Sequence, residues 1–98
     1  MVIGVLTVKL SLSWAHSLKD KRQAVKSLIE RLKSRFNVSV SEAGENDIWK
    51  TAVIGVCCVS NQSNHIDSIM SKIVNFIEND NRVQITDYST EKININCC

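Results

Sequence analysis

Two histidines and four cysteines are the side chains of this 98-residue chain best suited to hold a metal or attack a substrate. The cysteines stand as adjacent pairs, Cys57-Cys58 and Cys97-Cys98. Neighbours in a strand point to opposite faces, so such a pair does not converge on one ion. No C-x-x-C spacing occurs, and neither His16 nor His65 stands at ligand spacing from a cysteine. The cysteines therefore read as small buried hydrophobes plus a loose terminal pair in a reducing cytosol, and no metal or cofactor is expected. His16 has the chemistry of a general base, but no nucleophile or orienting group accompanies it. It reads as structural, beside a helix start, and so does His65. No catalytic residue is assigned, and the chain is not expected to be an enzyme.

Positive charge is the chemistry that the sequence does concentrate. Between Lys19 and Phe36 lie seven of the twelve basic residues, against Asp20 and Glu30 as the only acids, so this segment carries +5 within a chain of net charge +2. Such asymmetry steers anionic partners, although it is weaker than the balance of dedicated nucleic-acid binders. If the segment is helical, each residue turns about 100°. With Val25 at zero, Arg22, Lys33, Lys26 and Lys19 then fall at roughly 60°, 80°, 100° and 120°. Four cations line one flank over about 21 Å, Lys21 sits near the border of the apolar stripe, and Arg31 and Arg35 take the other flank.

That row, counted as Lys19, Lys21, Arg22, Lys26 and Lys33, is suited to the phosphates of structured RNA, with little sequence selectivity. The competing reading is a solvated helix face, partly neutralised by Glu30 and by an acidic turn containing Glu42, Glu45 and Asp47. Cations in the first turn oppose the helix dipole by about a few tenths of a kcal/mol, which capping does not explain. The stripe comes without exposed aromatics or a flexible basic tail, so stacking against single strands is not expected.

The elements that must carry these residues follow from periodicity. Residues 2–12 alternate, with Val2, Gly4, Leu6, Val8, Leu10 and Leu12 on one face and Ile3, Val5, Thr7, Lys9 and Ser11 on the other. Because no basic flank precedes it and Lys9 interrupts it, this opening reads as a strand and not as a signal peptide. A helix begins near Ser17, with Asp20 three residues later as a capping-box variant, and buries Val25, Leu28, Ile29, Leu32 and Phe36. Leu18 is expected to staple its start. FNVSVSEAG forms a strand with Val38 and Val40 inward. TAVIGVCCVS, apolar almost throughout, reads as a central strand. SNQSN offers N-caps to a second helix carrying Ile66, Ile69, Met70, Ile73 and Ile77. A last strand starts at Val83 and Ile85, and its phase is ambiguous after Asp87.

The order β-α-β-β-α-β predicts one ferredoxin-like α+β domain over residues 1–98, the last few residues forming a loose tail. Two right-handed split crossovers place both helices on one face of a four-stranded antiparallel sheet, in strand order 4-1-3-2. The two most apolar strands become the central ones. This topology brings the start of the first helix to the end of the sheet that holds the acidic turn, Trp14 and Trp49. It also leaves Ile3, Val5, Val53, Cys57 and Val59 on a helix-free face, which predicts homo-oligomerisation through that face or an edge strand. No apolar run reaches the roughly 20 residues needed to cross a bilayer.

The strand leading into His16-Ser17-Leu18-Lys19-Asp20-Lys21-Arg22, the stretch FNVSVSEAG, the Asp47-x-Trp49 step and IGVCCVSN together resemble the YlxP family of small bacterial proteins, a domain of unknown function numbered 503. The resemblance runs from residue 1 to about 92 and stops short of Asn94–Cys98. It implies a ferredoxin-like fold and a cytoplasmic bacterial protein without established enzymatic activity. Family genes often stand beside those of translation initiation factor 2 and ribosome-binding factor A, which implies work on RNA or the ribosome. The expectation is thus a non-enzymatic binder of structured RNA or a ribosomal subunit. The alternative is a protein-interaction or ligand-sensing module that dimerises through its open sheet face.

Overall fold

The computed structural model describes residues 1–44 and 48–96. Its elements run β1 (Val2–Ser11), α1 (Leu18–Arg35), β2 (Ser39–Gly44), β3 (Thr51–Ser60), α2 (Ser63–Glu78) and β4 (Gln84–Asn94). All pairings in the four-stranded sheet are antiparallel, in the order β2-β3-β1-β4. This is the predicted ferredoxin-like arrangement. Strand β1 pairs with β3 from Val2↔Ser60 to Ser11↔Thr51 and with β4 from Val2↔Asn94 to Ser11↔Gln84.

Alternation decides what each central strand hides. Val2, Gly4, Leu6, Val8 and Leu10 of β1 are buried, as are Ala52, Ile54, Val56 and Cys58 of β3. Both sets face the helices. Helix α1 closes over them with Ala24, Val25, Leu28 and Leu32, and α2 with Ile66, Met70, Ile73, Val74 and Ile77. Ile29, Phe36 and Ile69, expected in the apolar stripes, pack half-buried at the margins of this core. Phe36 meets Phe76 edge-on, with ring centroids 5.9 Å apart, where the two helices end.

The helix starts differ in quality. Ser17 caps α1 by accepting from the Asp20 N–H at 3.1 Å, and Asp20 in turn accepts from the His16 N–H at 3.0 Å. Helix α2 has no comparable device: its N-cap is Gln62, whose side chain makes no capping bond. The abundance of Ser and Asn in SNQSN therefore misleads as a cap signal, and Ser60 instead accepts from the Gln62 N–H.

Strand β4 explains its own ambiguous phase. Leu10 pairs with Ile85, but Lys9 pairs with Asp87, so Thr86 is an extra residue in a β-bulge. Ile85 ahead of the bulge packs on the core. Beyond it Asp87, Ser89, Glu91 and Ile93 share the helix-free face with β1's Lys9, Thr7, Val5 and Ile3. Tyr88, Thr90 and Lys92 take the helix side, where Lys92 Nζ lies 2.8 Å from Ser63 Oγ and 3.0 Å from an Asp67 carboxylate oxygen on α2. Residues 94 and 95, expected in a loose tail, are ordered by the sheet. Asn94 ends β4, and Ile95 exchanges backbone bonds with Met1 at 2.8 and 3.0 Å. Cys97 and Cys98 lie outside the described residues.

One glycine is required by packing. A Cβ on Gly4 would stand 2.5 Å from Ile66 Cγ2 and 2.6 Å from Met70 Cε, so α2 rests directly on the backbone of β1. Gly55 has room, since its nearest neighbour would be the Ala43 Cβ at 3.6 Å. Gly4→Ala is expected to destabilise the fold by about 1–3 kcal/mol through overpacking, while Gly55→Ala leaves it unchanged or slightly more stable. Urea unfolding of the two variants checks this; equal midpoints would remove Gly4 from that role.

Candidate functional site

The cations of α1 fall into three environments. Lys19, Arg22, Lys26 and Lys33 are exposed on one flank, and among the described residues no carboxylate lies within ion-pair distance of them. Arg22, Lys26 and Lys33 border a shallow groove of about 480 Å³ between α1 and β2, lined also by Val25, Ile29, Glu30 and the Glu42 that pairs with Lys21. The row predicted from helical geometry is thus present, and it flanks a concave surface.

Lys21 is not part of it. Its side chain is wholly buried, and its ammonium lies 2.9 Å from Glu42 Oε2. The reason is positional: Lys21 precedes Val25 by four residues and Leu28 by seven, so it stands within the apolar stripe. Glu42 follows Val40 by two and therefore faces the helices from β2. The pair ties the first turn of α1 to an edge strand. It also engages the described carboxylate of the acidic turn that was expected to neutralise the row; Glu45 and Asp47 lie outside the described residues.

On the opposite flank Arg31 forms an ion pair with Asp80, and the Arg31 and Arg35 guanidinium carbons lie 5.8 and 5.5 Å from the Phe76 ring centroid. Arg82 joins the cluster, donating to Ser27 Oγ at 3.0 Å while its backbone N–H donates to Asp80 at 2.8 Å. Burial alone would raise the Asp80 carboxyl. The hydrogen bond from Arg31, the Arg82 N–H and the two guanidinium charges outweigh it and hold the group below its ordinary range. These arginines are committed to joining α1, α2 and the loop before β4.

Exposed aromatic residues were not expected with the stripe, yet the two tryptophans placed near the start of α1 both stand exposed. Trp14 keeps 41% and Trp49 38% of its surface in solvent, with Ile48 at 50%. Lys50 joins their segments, donating to the Ser13 and Ala15 carbonyls at 3.1 and 3.0 Å with its ammonium 4.8 Å from the Trp49 ring centroid. The Trp14 indole N–H donates to the Arg82 carbonyl at 2.5 Å. The juxtaposition of both tryptophans with the start of α1 follows from the topology; their exposure does not, because a tryptophan in sequence carries no sign of whether a layer covers it.

The remaining candidates separate cleanly. His16 and His65 are both exposed. Cys58 is buried on the helix side, where burial first and then neighbouring Cys57 push its thiol upward, away from nucleophilic use. Cys57 lies half-buried on the opposite face. There Ile3, Val5, Val53 and Cys57 are each only partly open, and Val59 is 58% exposed. The apolar surface gathers at one end, in the cross-strand row Val59–Ile3–Ile93, because Gly55, Thr7 and Ser89 separate it from Val53. Ile93, at 42% exposure, was not foreseen in this patch because the bulge hides its phase.

The sequence pattern of the family described as "Protein of unknown function (DUF503)" matches residues 3–90. The chain belongs to the DUF503 family. A relative, the "Uncharacterized protein YlxP" of Bacillus subtilis (strain 168), is 32% identical over 77 residues, covering 79% of this chain and 84% of its own. Two de novo designed proteins share the architecture of this DUF503 chain. One has the ferredoxin fold by solution NMR, with a TM-score of 0.56 at 16% identity over 95% of this chain and 84% of its own. The other, Foldit4, has a TM-score of 0.52 at 12% identity over 96% and 99%. At these identities the designs bear on the fold alone. No helix among the described residues of the DUF503 chain is long and apolar enough to cross a membrane.

Lys21→Met is expected to destabilise the protein by about 3 kcal/mol, in the range for breaking a buried ion pair, and Glu42→Gln in the same chain should recover part of the loss. Thermal and urea unfolding of the single and double variants measures this. A Lys21→Met protein of unchanged stability would return Lys21 to the surface row.

Proposed function

We propose that this chain is a non-enzymatic cytoplasmic protein that binds structured RNA, including the RNA of a ribosomal subunit, through the exposed flank of α1. One observation carries the reading: α1 commits Lys21 to Glu42 and Arg31 to Asp80, yet leaves Lys19, Arg22, Lys26 and Lys33 exposed on one flank, the last three of them along one groove. Aligned cations repel one another and favour no fold, whereas a phosphate backbone satisfies them and releases its condensed counterions. The affinity expected from such contacts is largely independent of sequence, with selectivity coming from RNA shape.

Filter binding to ribosomal subunits and to a structured RNA, across a salt series, tests the proposal. Four phosphate contacts predict that log K falls with log salt at a slope of roughly −3 to −4, and that Lys26→Gln or Lys33→Gln flattens it by about 0.7–0.9 each. Lys26→Glu and Lys33→Glu should weaken binding without changing the melting temperature. Salt-independent binding, or none at micromolar protein, would reject the proposal.

The exposed row Val59–Ile3–Ile93 favours a second reading, a protein-interaction module in which this end of the helix-free face joins two copies of the chain. An apolar row left in water costs about 25 cal/mol per Å², which a second copy would recover. Light scattering at high micromolar concentration is then expected to give a dimer that Val59→Asp dissociates. A monomer at that concentration would exclude it.

A further inference from the structure

Exposed tryptophans are costly on a protein surface, and two of them, with Ile48, lie in the segments flanking the Ser11↔Thr51 end of the sheet, where α1 begins. Neither is a loose side chain. The Trp14 indole is held by the Arg82 carbonyl, and Trp49 lies against the Lys50 ammonium, which is itself fixed by two carbonyls on either side of Trp14. Holding rings in place while leaving about four-tenths of each in solvent lowers the entropy cost of stacking something on them. The surroundings specify the sign of that ligand. Lys50 sits at the pair, and Lys19 and Arg22 open the exposed row of α1 at the same end. Exposed indole rings at an end of the sheet that also carries cations suit a nucleobase attached to a phosphate backbone.

We infer that Trp14 and Trp49 form a stacking platform for unpaired bases, so that the RNA partner carries a loop, bulge or single-stranded junction next to the segment gripped by α1. This deepens the RNA reading and rests on it. Division of labour follows: the α1 row supplies phosphate contacts common to any RNA, and the tryptophans select RNA with bases free to stack. Lys50 contributes twice, as a cation against Trp49 and as the clamp that orients the 13–15 segment.

Two RNAs of equal charge separate the two layers: a blunt duplex, and a hairpin with the same number of phosphates and an unpaired loop. The expected result is tighter binding of the hairpin, with quenching of tryptophan fluorescence that the duplex does not produce. Trp49→Ala should lose about 5- to 150-fold in hairpin affinity, the range reported by base–aromatic stacking, with no change on the duplex. Trp49→Phe should retain most of it. Trp14 also braces the loop at Arg82, so Trp14→Phe is paired with a melting curve, and an unchanged melt with weakened hairpin binding supports the platform. Equal losses on both RNAs, or hairpin binding without quenching, would overturn the inference. If Lys26→Gln and Lys33→Gln weaken both RNAs while no tryptophan variant alters either, the platform fails and the phosphate reading stands. If neither RNA binds at low salt, the reading beneath it fails as well; quenching by an acidic peptide in that case would assign the surface to a protein partner.

Discussion

Strand β1 is hydrogen-bonded along both edges, to β3 through ten residue pairs and to β4 along the same span, so its two faces are committed once its register is set. A one-residue slip would turn Leu6 and Val8, both fully buried, into solvent and bring Thr7 and Lys9 beneath the helices. Burial of a Leu or Val side chain is worth about 1.5–3 kcal/mol, and such a slip would forfeit several at once. The helices follow from this register. With no side chain at Gly4, α2 descends onto the strand backbone, and α1 occupies the neighbouring half of the same face. The connection out of β1 and the segments that lead into β3 and β4 then meet at one end of the sheet, where Ser11 pairs with Thr51 and Gln84.

Helix α1 carries two incompatible demands within one repeat of 3.6 residues. Its inner face must seal the core, and its outer surface bears a local excess of positive charge. The conflict is resolved by sorting. A cation that falls on the sealing face is drawn to Glu42, those near the helix junction are held by Asp80 and Phe76, and the rest remain in water. Glu42 and Asp80 are thereby paired with cations outside the solvent-facing row.

Much of this was legible in the sequence, and the exceptions have physical causes. The period of two in residues 2–12 and the unbroken apolar run of β3 specify the central strands, and with the order of elements they specify the topology. The four exposed cations follow from helical geometry alone. Lys21 was misplaced because charge was weighed above position; its spacing from Val25 and Leu28, together with the two-residue step from Val40 to Glu42, already contained the pair. The second half of β4 was opaque for another reason. A bulge leaves no mark in composition, and Thr86 shifts the alternation so that Ile93 and Tyr88 exchange the faces that a regular strand would give them. Exposure of Trp14 and Trp49 depends on how far α1 and the adjoining loops reach over the sheet, which is a property of the assembled layers and not of any local segment.

The bulge at Thr86 has a further effect on the outermost strand. An unpaired edge of eleven residues is a template on which other chains can add, and a regular β4 would offer it flat. The extra residue twists that edge, and by resetting the phase it turns Lys92 under the sheet, where Asp67 and Ser63 of α2 hold its ammonium. A strand arriving alongside would have to be laid against an inward charge and a bent backbone. The other edge is guarded by brevity, since β2 has six residues and its own irregularity between Glu42 and Gly44. A polar strand that looks poorly designed for packing thereby offers an edge less suited to strand addition than a regular one would be.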